Sequence, residues 1–309
     1  MDRRNFIRNV SALSTLTILK PEIVFASNTN SAVRIGLVGC GSRATGILGS
    51  MADNANIHIT ALADLFEDKV IKGIEFANGL NKKRNYAAVA KNKTYVGSDA
   101  YLRLLENREV DAVVIASPGY SHPQILEDTV TAGKHVYCEK PLAVDADGCK
   151  QIIRTANNIG GRVSAFDGFQ IRYATPYVEM AKRIKRGDIG DLVTVQLYYL
   201  SSGATIIPYE KMSYDEMRIR NHYHFHEISG GCYLDQAIHM IDVCNWILDA
   251  TPLYAIGDGS KKGGPDFGNA WTNYQVIYKY PNDVNVSVHS SKFGKVFGDV
   301  CARFIGTRG

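Results

Sequence analysis

Three ionisable side chains in this 309-residue chain have the types and spacing for acid–base work. Asp235 and His239 stand four apart in residues 229–248, where Ile238, Ile241 and Trp246 fit one buried side, so the run predicts a helix after its two glycines. Residues four apart on a helix meet on one face, and an aspartate beside a histidine holds its tautomer and favours its charged form. Lys140 follows the apolar run Val136, Tyr137, Cys138 and stands between Glu139 and Pro141. A histidine poised near neutral pH suits removal of a proton from an alcohol oxygen while a hydride leaves the carbon, and a lysine suits the developing alkoxide. Each piece also has a plain reading. A lone Asp-x-x-x-His on a helix is more often a structural pair, and Glu-Lys-Pro after a strand reads as a solvated loop.

The elements that carry these residues favour the chemistry. Residues 33–38 are a short β-rich run. Gly39, Gly41, Ser42, Arg43 and Ala44 follow at once as Gly-x-Gly-x-x-Ala, before a helical pattern through Ile47, Leu48 and Met51. Gly39 permits the tight turn, Gly41 lets backbone approach a pyrophosphate, and Ala44 keeps the helix close to the sheet, while the helix N-terminus offers N–H groups to phosphate. Ser42 and Arg43 lie in the same turn and count as cofactor contacts. Asp64 ends the next strand, 25 residues past Gly39 where about 20 is expected. An acid there bonds the adenosine ribose hydroxyls and repels a 2′-phosphate, which favours NAD over NADP; capping the helix that contains Phe66 is its other role. Helical and apolar β-type segments then alternate as far as residue 166, and residues 110–116 are nearly continuously apolar, as in a strand buried on both faces. Ser117, Pro118 and His122 lie in the loop and helix start beyond that strand, where ligands sit in open α/β sheets. Residues 31–166 are thus expected to form a doubly wound, Rossmann-type parallel sheet that holds a dinucleotide.

The glycine loop at Gly39–Ala44, Ser117-Pro118 with His122, Glu139-Lys140-Pro141, and Asp235, His239 and Asp242 as D-x-x-x-H-x-x-D come in this order over about residues 33–250. In them the chain resembles the glucose–fructose oxidoreductase/inositol dehydrogenase (Gfo/Idh/MocA) family. The resemblance implies a two-domain NAD(P)-dependent enzyme acting on sugars or cyclic polyols. It places Lys140 by cofactor and substrate, adds Ser117, Pro118, His122 and Glu139 to the cofactor contacts, and implies a cis Lys140–Pro141 peptide. It implies His239 as the proton acceptor and Lys140 as its electrostatic and proton-relay partner, with Asp235 orienting the pair or binding a substrate hydroxyl. Gln170, Arg172 and Tyr173 match a substrate-lining segment of the family; domain-joining salt bridges are their other reading. Tyr223 lies among His222, His224 and His226. Three histidines at period two would share one face of a strand and suggest a metal, but zinc wants a further ligand or an open water site. Sugar contact and a plain surface loop remain the readings of that segment, and no metal is expected.

Residues 167–309 are expected to form a substrate and oligomerisation domain of α+β class, a helix-backed, open, mainly antiparallel sheet with strands near 192–200, 253–258, 271–280, 284–291 and 297–305. The closing stretch Gly306, Thr307, Arg308, Gly309 is similar to a family turn that leads into further strands, so the chain reads as truncated, with a sheet edge left bare. Residues 1–27, with Arg3, Arg4, Phe6 and Arg8 before a modest apolar region and Val24, Phe25, Ala26, resemble a twin-arginine export signal, which implies a periplasmic or otherwise exported protein. These residues contribute +2 (Arg3, Arg4, Arg8 and Lys20 against Asp2 and Glu22) of the formal +4, and the nearly balanced remainder has no basic stripe, so nucleic acid is excluded as a partner. No apolar stretch reaches the length of about 18 residues that a membrane span needs. The six cysteines show no paired spacing and read as free thiols, compatible with export of a protein already folded in a reducing compartment. The expected function is an NAD-dependent oxidoreductase acting on the CH–OH group of a sugar, glycoside or polyol, as a homo-oligomer. The alternatives are a redox-neutral NAD-dependent glycosidase, which releases sugar without net NADH, and a non-catalytic NAD-binding protein.

Overall fold

A computed structural model describes residues 32–295 and 297–309. The twin-arginine reading falls on residues 1–27, outside the described residues. The first sheet contains β1 (Val33–Val38), β2 (Ile57–Asp64), β3 (Thr94–Val96), β4 (Ala112–Ile115), β5 (His135–Cys138) and β6 (Ala165–Asp167) in the order β3-β2-β1-β4-β5-β6. Every neighbouring pair is parallel. The expected doubly wound parallel sheet is therefore present. Its apolar runs have the reason anticipated: helices cover both faces, and Leu37, Ile59, Leu62, Val113 and Ile115 lie fully buried. Each such side chain contributes about 1.5–3 kcal/mol through burial.

The helices that close this half are α1 (Ser42–Asn54), α2 (Glu67–Lys83), α3 (Ala100–Leu105), α4 (His122–Thr131) and α5 (Ala146–Asn158). Strand order reverses between β1 and β4, so the turns after these strands flank the crevice where such sheets bind ligands. Gly39 makes the first turn at φ +87°, and a Cβ there would stand 2.5 Å from the Ser117 amide nitrogen. The two turns thus pack backbone on backbone, which only glycine permits.

The second sheet contains β7 (Leu192–Ser201), β8 (Tyr254–Ser260), β9 (Asn273–Lys279), β10 (Asn285–Lys292) and β11 (Asp299–Gly306), in the order β11-β7-β10-β9-β8. The β7–β10 pair is parallel and the other three are antiparallel, so the sheet is mixed and mainly antiparallel. The helices of this half are α6 (Thr175–Lys185), α7 (Tyr214–Arg220), α8 (His226–Ser229) and α9 (Ile238–Leu248). Met240 and Cys244 of α9 pack with Val195, Leu197, Val286 and Val288 of the sheet, and Val243 and Ile247 pack on Ala181 of α6. Among the described residues no helix is long and apolar enough to cross a membrane. All six cysteines are free thiols.

Two local expectations are corrected. His222–His224 is a single 3-10 turn between α7 and α8, so its histidines do not share a strand face. The helix of residues 229–248 is regular only from Ile238, because Tyr233–Ala237 forms a π-helical turn. Asp235 lies in that wider turn, so its register with His239 is not that of a regular α-helix.

Candidate active site

The nucleotide half of the site is assembled by backbone. Gly41 caps α1 and brings no side chain to the helix end, and nothing lies within 4 Å of where its Cβ would be. That open space above the first N–H groups of a helix fits a pyrophosphate. Asp64 is fixed from both sides: Cys40 N donates to its Oδ2 at 2.7 Å, and Phe66 N to its Oδ1 at 2.9 Å. The strap after β2 therefore holds the carboxylate beside the glycine turn, the place required of a group that accepts ribose hydroxyls.

Arg43 reaches from α1 to Glu139 Oε1 at 2.8 Å and to Gln170 Oε1 at 3.2 Å. Glu139, 3% exposed, also accepts from Tyr137 Oη at 3.0 Å. It acts on the cleft through Arg43 more than by direct contact, and Gln170 is tied to the same arginine. His122 is corrected from a cofactor contact to a clamp. It is 1% exposed, and its ring nitrogens lie 2.7 Å from the carbonyl oxygens of Ser117 and Pro141. Burial pushes its pKa down while these carbonyls pull it up, and a neutral ring donates to only one of them. Its effect is to lock the Ser117–Pro118 loop to the segment carrying Lys140. The Lys140–Pro141 peptide is cis, as the resemblance implied.

Lys140 crosses to the second half of the chain. Its Nζ donates to the Asp235 carbonyl oxygen at 2.5 Å and lies 3.3 Å from Asp235 Oδ1. Lys292, at the end of β10, takes the other oxygen, Oδ2, at 2.7 Å. Burial works to raise the Asp235 pKa, but the two ammonium groups outweigh it and hold the carboxyl below its ordinary range. Asp235 thus serves the lysines, and the structure records no hydrogen bond from it to His239. Asp235 favours the charged imidazole, as expected, but burial first and Lys140 second outweigh it and lower His239 to about 4. His239 is neutral at neutral pH, set between the Tyr199 ring at 6.2 Å and the edge of Phe169 at 6.1 Å. Its Nδ1 is buried with no hydrogen-bond partner among the described residues.

Two family models match the chain, one described as an oxidoreductase family with an NAD-binding Rossmann fold over residues 33–166, the other as the GFO/IDH/MocA C-terminal domain over residues 177–309. The chain belongs to the GFO/IDH/MocA oxidoreductase family. Among curated relatives, it is 29% identical over 218 residues to an inositol 2-dehydrogenase/D-chiro-inositol 3-dehydrogenase of Lactiplantibacillus plantarum, covering 70% of this chain and 52% of the relative. It is 30% identical over 219 residues to inositol 2-dehydrogenase 1 of Saccharopolyspora erythraea, covering 71% and 55%. The chain spans about half the length of these relatives. The fold matches a myo-inositol 2-dehydrogenase structure from Lactobacillus plantarum at TM-score 0.71 and 20% identity, over 90% of this chain and 75% of that one. It also matches a scyllo-inositol dehydrogenase from Lactobacillus casei with bound NAD(H) and scyllo-inositol, at TM-score 0.68 and 20% identity, over 90% and 75%.

Within this family framework the remaining candidates divide. Tyr223 joins the site: its ring lies 4.0 Å beneath Lys292 Nζ, and burial, then the Asp235 charge, push its hydroxyl up to about 12. Arg172 does not present a free guanidinium. It makes a paired contact to Asp242 at 2.7 and 2.6 Å and lies over Trp246, so it braces α9. Tyr173, 53% exposed, packs on Phe166 at the end of the first sheet. Among the described residues no three His, Cys, Asp or Glu groups converge as metal ligands.

Sequence reasoning missed Lys292 and Arg220. Lys292 stands at a strand end outside any motif. Arg220 ends α7 and pairs with Asp68 at 2.6 Å across 152 positions, with its guanidinium 3.9 Å over the Phe66 ring. Phe66 belongs to the strap that fixes Asp64, and α8 packs against the Gly119–Ser121 turn. The segment holding α7 and α8 therefore covers both loops of the nucleotide crevice. Arg220→Ala is expected to weaken NAD binding by about 5–10-fold, from loss of a cation–π contact and an ion pair together worth about 1 kcal/mol. kcat at saturating NAD should be unchanged. Calorimetric titration checks this, and unaltered affinity would remove the clasp from the account.

The depressed His239 pKa also sets a stability window. Its folded value is about 4 against an ordinary 6.5. Between these values the unfolded chain binds the proton first, so this contribution is complete above about pH 6.5 and is lost as pH falls toward 4. The full difference is about 3 kcal/mol. Urea unfolding from pH 7 to 4.5 should show the loss, and His239→Gln should flatten it. Parallel curves for the two proteins would refute the assignment.

Proposed function

We propose that the protein is an NAD-dependent oxidoreductase acting on a carbinol carbon of a cyclic polyol or sugar, with Lys140 and His239 as its acid–base groups. The observation that carries this reading is the meeting of Lys140, from the loop after the dinucleotide sheet, with Asp235 from the second half of the chain. Inositol dehydrogenases among the relatives make a cyclic polyol the favoured substrate class. The residues fit the cofactor: Gly39 and Gly41 open the turn, α1 offers its N-terminus, and Asp64 would accept the ribose hydroxyls. NAD, when bound there, accepts the hydride. The enclosed Nδ1 of the neutral His239 is out of a substrate's reach, so Nε2 is the imidazole nitrogen that accepts the hydrogen bond of the reacting hydroxyl. Imidazolium is disfavoured by the burial of that ring, so the proton leaves through Lys140: its ammonium first gives a proton to solvent, the amine so formed takes up the hydroxyl proton, and the restored ammonium stabilises the alkoxide. Asp235 fixes Lys140, and Tyr223 lines the side of the cleft toward Lys292. Incubation with excess NAD and a panel of inositols and glycosides tests the reading. It predicts reduced nicotinamide matched one-to-one by a ketone product; bound NAD with no reduction on any panel member would oppose it.

We further propose export by the twin-arginine route, on the pattern at Arg3, Arg4 and Phe6. Replacing Arg3 and Arg4 by lysine should abolish export of a folded reporter carrying residues 1–27, and undiminished export would refute the proposal. We also propose a homo-oligomer formed through the outward side of the second sheet, where Tyr254, Ile256 and Ile277 are exposed. Light scattering that gives a monomer at all concentrations would exclude it.

A further inference from the structure

Asp235 is held by two lysines that arrive from different directions. Lys140 comes from the loop after β5 and lies 3.3 Å from Oδ1, while Lys292 comes from β10 and lies 2.7 Å from Oδ2. The three side chains are comparably enclosed, at 16%, 18% and 14% exposure for Lys140, Lys292 and Asp235. Lys292 is rigidly placed. β10 is hydrogen-bonded to both β7 and β9, the Lys292 amide donates to the Thr272 carbonyl oxygen at 2.8 Å, and its ammonium rests on the Tyr223 ring.

An isolated buried Lys–Asp pair is a poor proton exchanger. When the lysine gives up its proton, the carboxylate is stranded without a counter-charge, which is strongly unfavourable. A second cation on the other carboxylate oxygen removes that obstacle, because the carboxylate keeps a partner in both states of the first lysine. We infer that Lys292 is a positioning residue of this site: it holds the Asp235 carboxylate in place and compensated while Lys140 exchanges its proton. This rests on the reading of Lys140 as an acid–base group. The charged and titratable groups facing Lys140 are Asp235 and His239 from the second half, Glu139 with its partner Arg43 and the buried His122 from the first, and Lys292 across Asp235. His222 and Tyr223, on the turn before α8, also feel Asp235. Of these, Lys292 is the cation that shares Lys140's carboxylate, so its removal leaves Asp235 wholly to Lys140 and favours the Lys140 ammonium.

The test reads the lysine itself. Competitive acetylation of the full chain with trace acetic anhydride, quantified at Lys140 by mass spectrometry from about pH 6 to 11, gives the pH at which Lys140 becomes an amine. In Lys292→Met this midpoint should move upward by about one unit or more, the size expected for losing a like charge two contacts away. Lys292→Arg, which retains a fixed cation and a carboxylate partner, should keep the wild-type midpoint. The acidic limb of the kcat/KM profile should move with the labelling midpoint in Lys292→Met. An unmoved midpoint in Lys292→Met, or equal shifts in the Met and Arg variants, overturns the inference. Acetylation needs no substrate, so a wild-type chain that reduces no NAD would refute the oxidoreductase reading while leaving this result readable.

Discussion

Lys140→Ala is expected to lower kcat by about 1,000-fold, the range for losing a positioned proton carrier and the charge it offers a developing alkoxide. The side chain contacts Asp235 at both its carbonyl and its carboxylate, while the glycine turn and Asp64 are supported by other groups. NAD affinity should therefore stay within a few-fold of wild type. Lys140→Arg separates two roles that alanine removes together. A guanidinium keeps the positive charge and can bond Asp235, but it does not release a proton near neutral pH. If electrostatic stabilisation were the whole role, Arg would restore most of the rate. Proton exchange through Lys140 predicts that Arg remains nearly as impaired as Ala, measured as initial rates of NAD reduction at saturating cofactor.

The second large effect lies in the glycine turn, where two residues two positions apart should fail differently. Gly39 has φ +87°, and a Cβ there would lie 2.5 Å from Ser117 N and 2.7 Å from the Ala116 carbonyl carbon. Both neighbours are backbone at the end of β4, so neither can turn aside. Gly39→Ala should cost about 4 kcal/mol or prevent folding. Gly41 has φ −79°, which alanine adopts freely, and its Cβ would meet nothing within 4 Å. Gly41→Ala should unfold at nearly the wild-type temperature, yet bind NAD at least about 10-fold more weakly because the methyl group stands where the pyrophosphate approaches. Thermal melts and cofactor titrations of the two variants check this. Equal loss of stability in both would show that the open space at Gly41 has no special part in binding.

These two cases show why some of the molecule was legible in its sequence. The turn at Gly39–Ala44 and the apolar strands around it express local steric rules and burial on both faces, so the parallel sheet followed from pattern. The meeting of Lys140 with Asp235 also followed, though only because motif order stood in for distance. The exact partners did not. The segment around Tyr233 has helical composition, and nothing in its periodicity distinguishes a π-helical turn from an α-helix. Asp235 stands in that turn, and its carboxylate goes to two lysines. Lys292 lies 57 positions from Asp235 and Arg220 lies 152 from Asp68, and a charged residue at a strand or helix end resembles any solvated one until the chain is folded. The reading of His122 as a cofactor contact, and the choice left open for Arg172 between substrate contact and domain-joining ion pair, have a related reason. Polar side chains near a cleft invite a ligand, but the internal partners that already satisfy them are remote in sequence.

The central claim is that hydride leaves a ring carbon of the substrate for NAD while Lys140 and His239 manage the proton. The most direct measurement uses a cyclic polyol deuterated at its carbinol carbons, incubated with this protein and excess NAD, followed by mass spectrometry of the nicotinamide. The account predicts one deuterium per reduced nicotinamide, an equal amount of keto product, and near-complete loss of both in Lys140→Ala. Free sugar released from a deuterated glycoside with no net reduced nicotinamide, or reduced nicotinamide carrying no deuterium, would contradict it.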